Sequence, residues 1–427
     1  MTTKHRTVII GLDGVPFDML RDLAKTGVMP NTALLIKDGI FKKMHSSIPD
    51  ISSVAWSSII TGANPGAHGI FGFMDLYPSS YKMKFPNFND LKAPPFWELW
   101  PGKSVIINVP STYPVRPMNG IHISGFVSID LEKSVYPQSL LPDLKQQDYR
   151  LDVDSELAHR DMELFIKDLD DSHFALVRVV KMLLNYRDWQ TFMVVFTGTD
   201  RLMHFLFDAL DSANHKYHQL FLDYFANVDH AIGDVMACLN DDDLVVMLSD
   251  HGFEHLDCDV FINYLLTRHG LLQFKQGEEM SPANICYGTK AFALDPARIY
   301  LNYKGRYPCG TVEPTEAGQL LADMENLFGS LHIDGRKVIR SIYRKEQLYR
   351  GSCLDNAPDL VLVGNSGFNL RANLKTDQLT TKPIFTGKHT QDTAFLLVRG
   401  LSEQGIIPDV PCVEDVKGIM EKGKSRA

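Results

Sequence analysis

The sequence predicts an α/β fold, a mostly parallel central sheet with helices on both faces, interrupted by inserted lid or cap segments. Two observations lead there. Short apolar runs rich in strand formers alternate along the chain with longer stretches of helical periodicity. Several of those runs stop abruptly at an Asp, His or Gly, which is how strands of an open α/β sheet deliver groups to the edge where such folds bind ligands. The 427 residues at 44% hydrophobic content suffice for one large core or two smaller ones.

Strands are predicted at 7–12, 104–109, 191–196, 244–248, 359–363 and 393–398. The run Leu244 to Leu248 is too short for a typical helix and consists of strand formers, so it reads as a buried strand. Helices are predicted at 16–25, 55–61, 173–185, 215–239 and 314–328, with a short one at 413–421 closing the chain. The whole of 1–427 reads as one catalytic domain. Two stretches look inserted: about 73–152, loop-rich and full of prolines, and about 254–344, with mixed aromatic patterning. Either is a candidate lid over the carboxyl edge of the sheet.

Composition excludes several classes. Fifty-two acids against 43 bases give a net charge of −9, which argues against a general nucleic-acid-binding surface. A small phosphorylated substrate stays open, because a local metal site can outweigh global charge. The six cysteines, at 238, 258, 286, 309, 353 and 412, form no C-x-x-C pair and suit reduced, mostly buried thiols. The polar start, Met1 to Arg6, runs straight into the first strand and does not resemble a signal peptide. No stretch approaches membrane-span length. The expectation is a cytoplasmic enzyme with no membrane and no stable nucleic-acid partner.

Ligand-bearing segments recur at strand ends. In Ser249-Asp250-His251-Gly252 an apolar run delivers a hard oxygen and an imidazole nitrogen side by side, a natural pair for a divalent transition metal, although the same residues also make an ordinary turn. Asp13-Gly14 ends the first strand in the same way and by itself reads more readily as a turn. After the run ending at Phe196, Asp200 and His204 stand four residues apart and share one face of a helix. His389 sits in a glycine-containing loop, where a lone histidine is usually a bystander. Finally, Pro49-Asp-Ile-Ser52-Ser53-Val-Ala-Trp56 opens a short apolar helix that stops at Thr61-Gly62. Ser52 there is either a helix N-cap or a hydroxyl placed where free backbone N–H groups and the helix dipole favour a phosphate.

Taken in order, these segments resemble the type I phosphodiesterase and nucleotide pyrophosphatase family of the alkaline phosphatase superfamily. The likeness rests on strand-Asp13-Gly, Pro49–Trp56 with Thr61-Gly-x-x-Pro65-x-x-His68-Gly-Ile, Asp200-x-x-x-His204, Ser249-Asp250-His251-Gly and Gly387-x-His389. It implies an alkaline-phosphatase-like fold and a two-metal site. Asp200, His204 and His389 would hold one divalent ion; Asp13, Asp250 and His251, with the Ser52 hydroxyl, would hold the other. Zinc is the expected metal and manganese the alternative. The implied reaction is metal-dependent hydrolysis of phosphate esters, with phosphodiesters or nucleotide pyrophosphates favoured, through a phosphoseryl intermediate on Ser52. Ser53 is the rival nucleophile. The chain departs from the family in two ways. Serine replaces the frequent threonine nucleophile, which preserves the class. Phe73 stands about where nucleotide pyrophosphatases carry a phosphate-contacting asparagine, which puts nucleotide specificity in doubt. Val54 and Trp56 occupy positions that formylglycine sulfatases need otherwise. The alternatives are a phosphomutase of a small metabolite, or a binding module that keeps metals without turnover. His255, His215, His218 and His230 read as surface or core histidines, whereas Lys388 and Arg201 are each either a phosphate contact or a solvated charge.

Overall fold

The computed structural model describes residues 6–186, 188–401 and 406–424. Residues 1–5, on which the reading of a polar N-terminus partly rests, lie outside this range. The described chain divides into two compact units, one of residues 1–63, 87–253 and 389–427, the other of 64–86 and 254–388.

The larger unit is built on an eight-stranded sheet. In chain order its strands are β1 (Thr7–Leu12), β2 (Ile40–Met44), β3 (Lys103–Val109), β4 (Gly120–Ser124), β5 (Val135–Tyr136), β6 (Trp189–Phe196), β7 (Leu244–Leu248) and β8 (Ala394–Arg399). Across the sheet they lie in the order β2-β8-β7-β1-β6-β3-β4-β5. The central run β7-β1-β6-β3-β4 is parallel, and antiparallel strands close both edges. All six residues of β1 and all five of β7 are buried, as expected of parallel strands covered on both faces. The helices form two packing groups. One contains α1 (Phe17–Lys25), α2 (Pro30–Asp38), α4 (Met162–Leu184), α5 (Gly198–Leu206) and α6 (His218–Met236); the other pairs α3 (Ser52–Thr61) with α7 (Asp415–Lys424). This is the α/β architecture expected from the alternation of patterns.

Helix α3 lies directly on β1. A Cβ added at Gly11 would fall 2.4 Å from the Trp56 ring, so the absence of a side chain at Gly11 is what lets the indole approach the strand. Trp56 is completely buried. Just beyond the carboxyl end of β1 the chain turns through Gly14 at φ +75°, where a Cβ would also meet the Phe253 ring at 2.6 Å. Only glycine suits a left-handed residue with a ring against it.

Three sequence expectations differ from the structure. The run at 359–363 is a strand, Leu360–Gly364, but it belongs to a sheet of the smaller unit, because a buried apolar run reads alike in any sheet. Helix α4 starts at Met162, well before 173, because Asp161 accepts hydrogen bonds from the backbone of Glu163 and Leu164 at 3.0 and 3.1 Å. Segment 73–152 supplies three strands, β3, β4 and β5, to the main sheet, where only the one at 104–109 was expected.

The smaller unit holds an antiparallel sheet in the order Ala291–Leu294, Arg298–Leu301, Leu360–Gly364, Ile339–Arg344. Its own core includes Leu266, Ile299, Leu301, Met324, Phe328 and Leu360.

Candidate active site

Parallel strands end at a common edge, and the carboxyl edge of this sheet collects the ligand-bearing segments. Asp13 follows β1 directly, and Asp250 and His251 follow β7. Asp200 lies in the first turn of α5, just beyond β6, with His204 one turn further along. Ser52 is the first residue of α3. His389 lies on the short strand Gly387–Thr390. All seven belong to the larger unit.

Their side chains converge. Asp13, Asp250 and His251 present ligand atoms within 4.8 Å of one another, and so do Asp200, His251 and His389. His204 joins the second group, with Nε2 3.0 Å from His389 Nε2 and 3.4 Å from Asp200 Oδ1. His389 Nε2 lies 3.1 Å from the same Oδ1. The Ser52 Oγ stands 3.1 Å from His251 Nε2 and 3.5 Å from Asp13 Oδ1. The serine does not cap its helix: Ile51 occupies the N-cap position, and no side chain caps it. The Ser53 Oγ is buried and makes no hydrogen bond.

Neighbouring groups fix the ligands. Trp56 Nε1 donates to Asp13 Oδ2 at 3.1 Å. The Gly14 amide donates to Asp250 Oδ1 at 3.1 Å. Thr199 Oγ1 donates to the Asp13 carbonyl at 2.6 Å, tying α5 to the end of β1. His389 Nδ1 meets the Asp50 carbonyl at 2.9 Å and His251 Nδ1 the Gly252 carbonyl at 3.2 Å. In both rings this contact leaves Nε2 turned toward the carboxylates. Trp56 was not recognised as a functional residue from the sequence, yet it stands four residues after Ser52, on the same helix face.

The cluster suits a cation. Three buried carboxylates crowd together: burial pushes Asp250 up to about 7, and burial and then the Asp250 charge raise Asp13. Asp250 Oδ2 is buried and accepts no hydrogen bond. Burial holds His204 and His251 down to about 3, so both rings are neutral with lone pairs to give. Asp200 is held low despite burial, by His204 and by its hydrogen bond with His389. An unpaired buried carboxylate oxygen is costly, and two imidazole nitrogens 3.0 Å apart fit two ligands reaching for one ion at about 2.0–2.1 Å each. Carboxylate oxygen and imidazole nitrogen are the donors zinc takes, and manganese accepts them as well.

The other singled-out residues fall elsewhere. Lys388 pairs with Glu254 at 2.8 Å, and His255 and His230 are exposed. His218 Nδ1 meets the Ala209 carbonyl at 2.7 Å, and His215 lies 3.8 Å from Asp208. His68, in the smaller unit, is completely buried, its Nδ1 accepting from the Ile70 amide at 3.1 Å.

The match of a family model over most of the chain makes this protein a hydrolase acting on phosphoric ester bonds, with the cluster at the carboxyl edge of its sheet as the candidate site. The chain belongs to the type I phosphodiesterase / nucleotide pyrophosphatase family, whose model matches residues 7–392. Among solved structures it is similar to phosphonoacetate hydrolase from Sinorhizobium meliloti 1021 in complex with phosphonoacetate, at 14% identity and a TM-score of 0.68, over 99% of this chain and 96% of that one. It is also similar to murine ectonucleotide pyrophosphatase / phosphodiesterase 5, an inactive threonine-to-alanine variant in complex with AMP, at 12% identity and a TM-score of 0.58, over 99% and 95%. The human form of the latter gives 11% identity and a TM-score of 0.60, over 98% and 95%. No curated protein matches the chain in sequence. Among the described residues no helix is long and apolar enough to cross a membrane.

Proposed function

We propose that this protein is a divalent-metal-dependent phosphohydrolase of the phosphodiester or nucleotide pyrophosphate type, with Ser52 as nucleophile. The observation that carries the reading is the position of the Ser52 Oγ, 3.1 Å from His251 Nε2 and 3.5 Å from Asp13 Oδ1, at the start of a helix and amid two groups of side chains that offer ligand atoms to a cation. Asp13, Asp250 and His251 would hold one ion beside Ser52, and Asp200, His204 and His389 the other. Zinc is the expected ion. When bound, such a pair supplies positive charge that lowers the pKa of a nearby hydroxyl and stabilises the attacking and leaving oxygens of an in-line displacement. Ser52 attacks phosphorus as the bond to the leaving oxygen breaks, giving a phosphoseryl enzyme; water then cleaves that ester and restores the hydroxyl. The helix N-terminus at Ser52 favours the negative charge of the phosphoryl group throughout. The substrate is a small phosphorylated compound. The complexes of the structural neighbours with phosphonoacetate and AMP support a phosphorus-containing ligand.

The test is a panel of monoesters, diesters, nucleotide pyrophosphates and phosphonates, assayed with zinc or manganese and again after chelation. The proposal expects metal-dependent cleavage of diesters or pyrophosphates. It expects Ser52→Ala to keep its bound metal and to lose turnover by several orders of magnitude, whereas Ser53→Ala stays active. A fully active Ser52→Ala enzyme overturns the nucleophile, and isomerised monoester in place of free phosphate identifies a phosphomutase.

A further inference from the structure

We propose that Arg201 and Asp152 form a clamp that holds the Asp200 carboxylate in its metal-binding orientation and thereby sets the affinity of the position made by Asp200, His204 and His389; this rests on the two-metal reading above. Asp200 divides its oxygens. Oδ1 faces the imidazoles, 3.1 Å from His389 Nε2, 3.4 Å from His204 Nε2 and 3.9 Å from His251 Nε2. Oδ2 faces away from them, 3.5 Å from Arg201 Nη1.

The guanidinium is itself immobilised. Its Nη2 donates to Asp152 Oδ2 at 2.8 Å and its Nε to Asp152 Oδ1 at 3.3 Å, a two-pronged pair. Its Cζ lies 3.9 Å from the centre of the Phe126 ring. Arg201 therefore has one edge on Asp152, its third nitrogen beside Asp200, and an aromatic ring against its charge. Swinging it toward a substrate would break both prongs and the ring contact, which separates it from a phosphate-binding arginine. Nor is it a solvated charge, since its side chain is 15% exposed and that of Asp200 8%.

The chemistry favours a positioning role. A carboxylate ligand binds through one oxygen best when the other is fixed, and partners behind the ligands tune affinity. At 3.5 Å Arg201 offsets the charge on Oδ2 without the short hydrogen bond that would draw electron density from the ligand oxygen. Asp152 keeps the guanidinium at that distance. Only an arginine presents a rigid planar fork to one carboxylate and a further donor to a second. The other metal position has different supports, Trp56 Nε1 on Asp13 and the Gly14 amide on Asp250. Loss of the clamp should therefore fall on one position and spare the other.

The experiment is zinc titration of the metal-stripped full chain against a chromophoric chelator, with His204→Ala marking which binding step belongs to the Asp200 position. Wild type is expected to take two equivalents. Arg201→Ala should weaken the step that His204→Ala also weakens by about 10–100-fold, leaving the other within about threefold. Arg201→Lys should fall between wild type and Arg201→Ala, since charge without the fork restores only part. Asp152→Asn, which keeps one prong, tests the same step should Arg201→Ala fail to fold. Unchanged affinities in the foldable variants overturn the clamp, as does an equal loss at both steps. A wild type that takes fewer than two equivalents overturns the two-metal reading, and the clamp with it.

Discussion

Asp13 illustrates how a single residue is shared among elements. Its carboxylate accepts from Trp56 on α3, its carbonyl accepts from Thr199 on α5, and its amide donates to the Phe196 carbonyl at 3.2 Å. The Trp56 bond is made to a buried oxygen, and leaving such an acceptor without its donor costs about 1–3 kcal/mol. Trp56→Phe, which keeps most of the ring, should lower stability by that amount in urea unfolding of the metal-free protein, with the slope unchanged. A midpoint equal to wild type would mean that the indole N–H is dispensable to Asp13. At this scale the sequence supplied candidates. Ser52 and Ser53 are adjacent hydroxyls in the sequence, and only the family resemblance favoured Ser52. Helix geometry points one at His251 and leaves the other without a partner.

At the scale of elements, β1 and β7 begin side by side, joined by Arg6 and Asp243. The Arg6 amide donates to Asp243 Oδ1 at 2.9 Å, and its Nη2 and Nε reach Oδ2 at 2.7 and 3.2 Å. The Asn240 amide adds a bond at 2.9 Å. Burial alone would raise the Asp243 carboxyl, but the Arg6 and Asn240 hydrogen bonds outweigh it and hold it below its ordinary value. The folded state then binds its proton more weakly than the unfolded chain does. Its contribution to stability is full above the unfolded pKa of about 3.9 and is lost as pH falls through the lower folded value. Asp243→Asn should therefore lower stability at pH 7 and flatten the decline that sets in as pH falls below about 4, read from denaturant midpoints across pH. Retention of the wild-type slope would show that other carboxylates govern the acid limb. The elements themselves were largely legible. Apolar runs of strand formers marked β1, β3, β6, β7 and β8 to within a residue or two, because strands buried on both faces need continuous apolar sequence. The start of α4 was missed although its signal, Asp161 ahead of a helical pattern, is present in the sequence.

For the whole molecule, the seven proposed ligands come from segments as far apart as Asp13 and His389, all within the larger unit. Metal that binds only the folded form therefore stabilises the closure of the entire sheet edge. Zinc at about 100 times its dissociation constant should add about 2.7 kcal/mol for each site, seen as a rise in melting temperature that a chelator reverses. A melting temperature indifferent to excess zinc, manganese and chelator would remove the metal site from the account. By itself the sequence determined the alternation of strands and helices and the presence of an Asp, His or Ser at the strand and helix ends. Those properties are local: apolar periodicity sets the elements, and the residues that follow them go wherever the strand ends. Only the tertiary structure decided which ends meet. The 3.0 Å approach of His204 and His389, the Trp56 support of Asp13 and the Asp152–Arg201–Asp200 chain each join residues on different elements. Such pairings follow from strand order and helix packing, which depend on contacts far apart in the sequence and leave no local pattern to read.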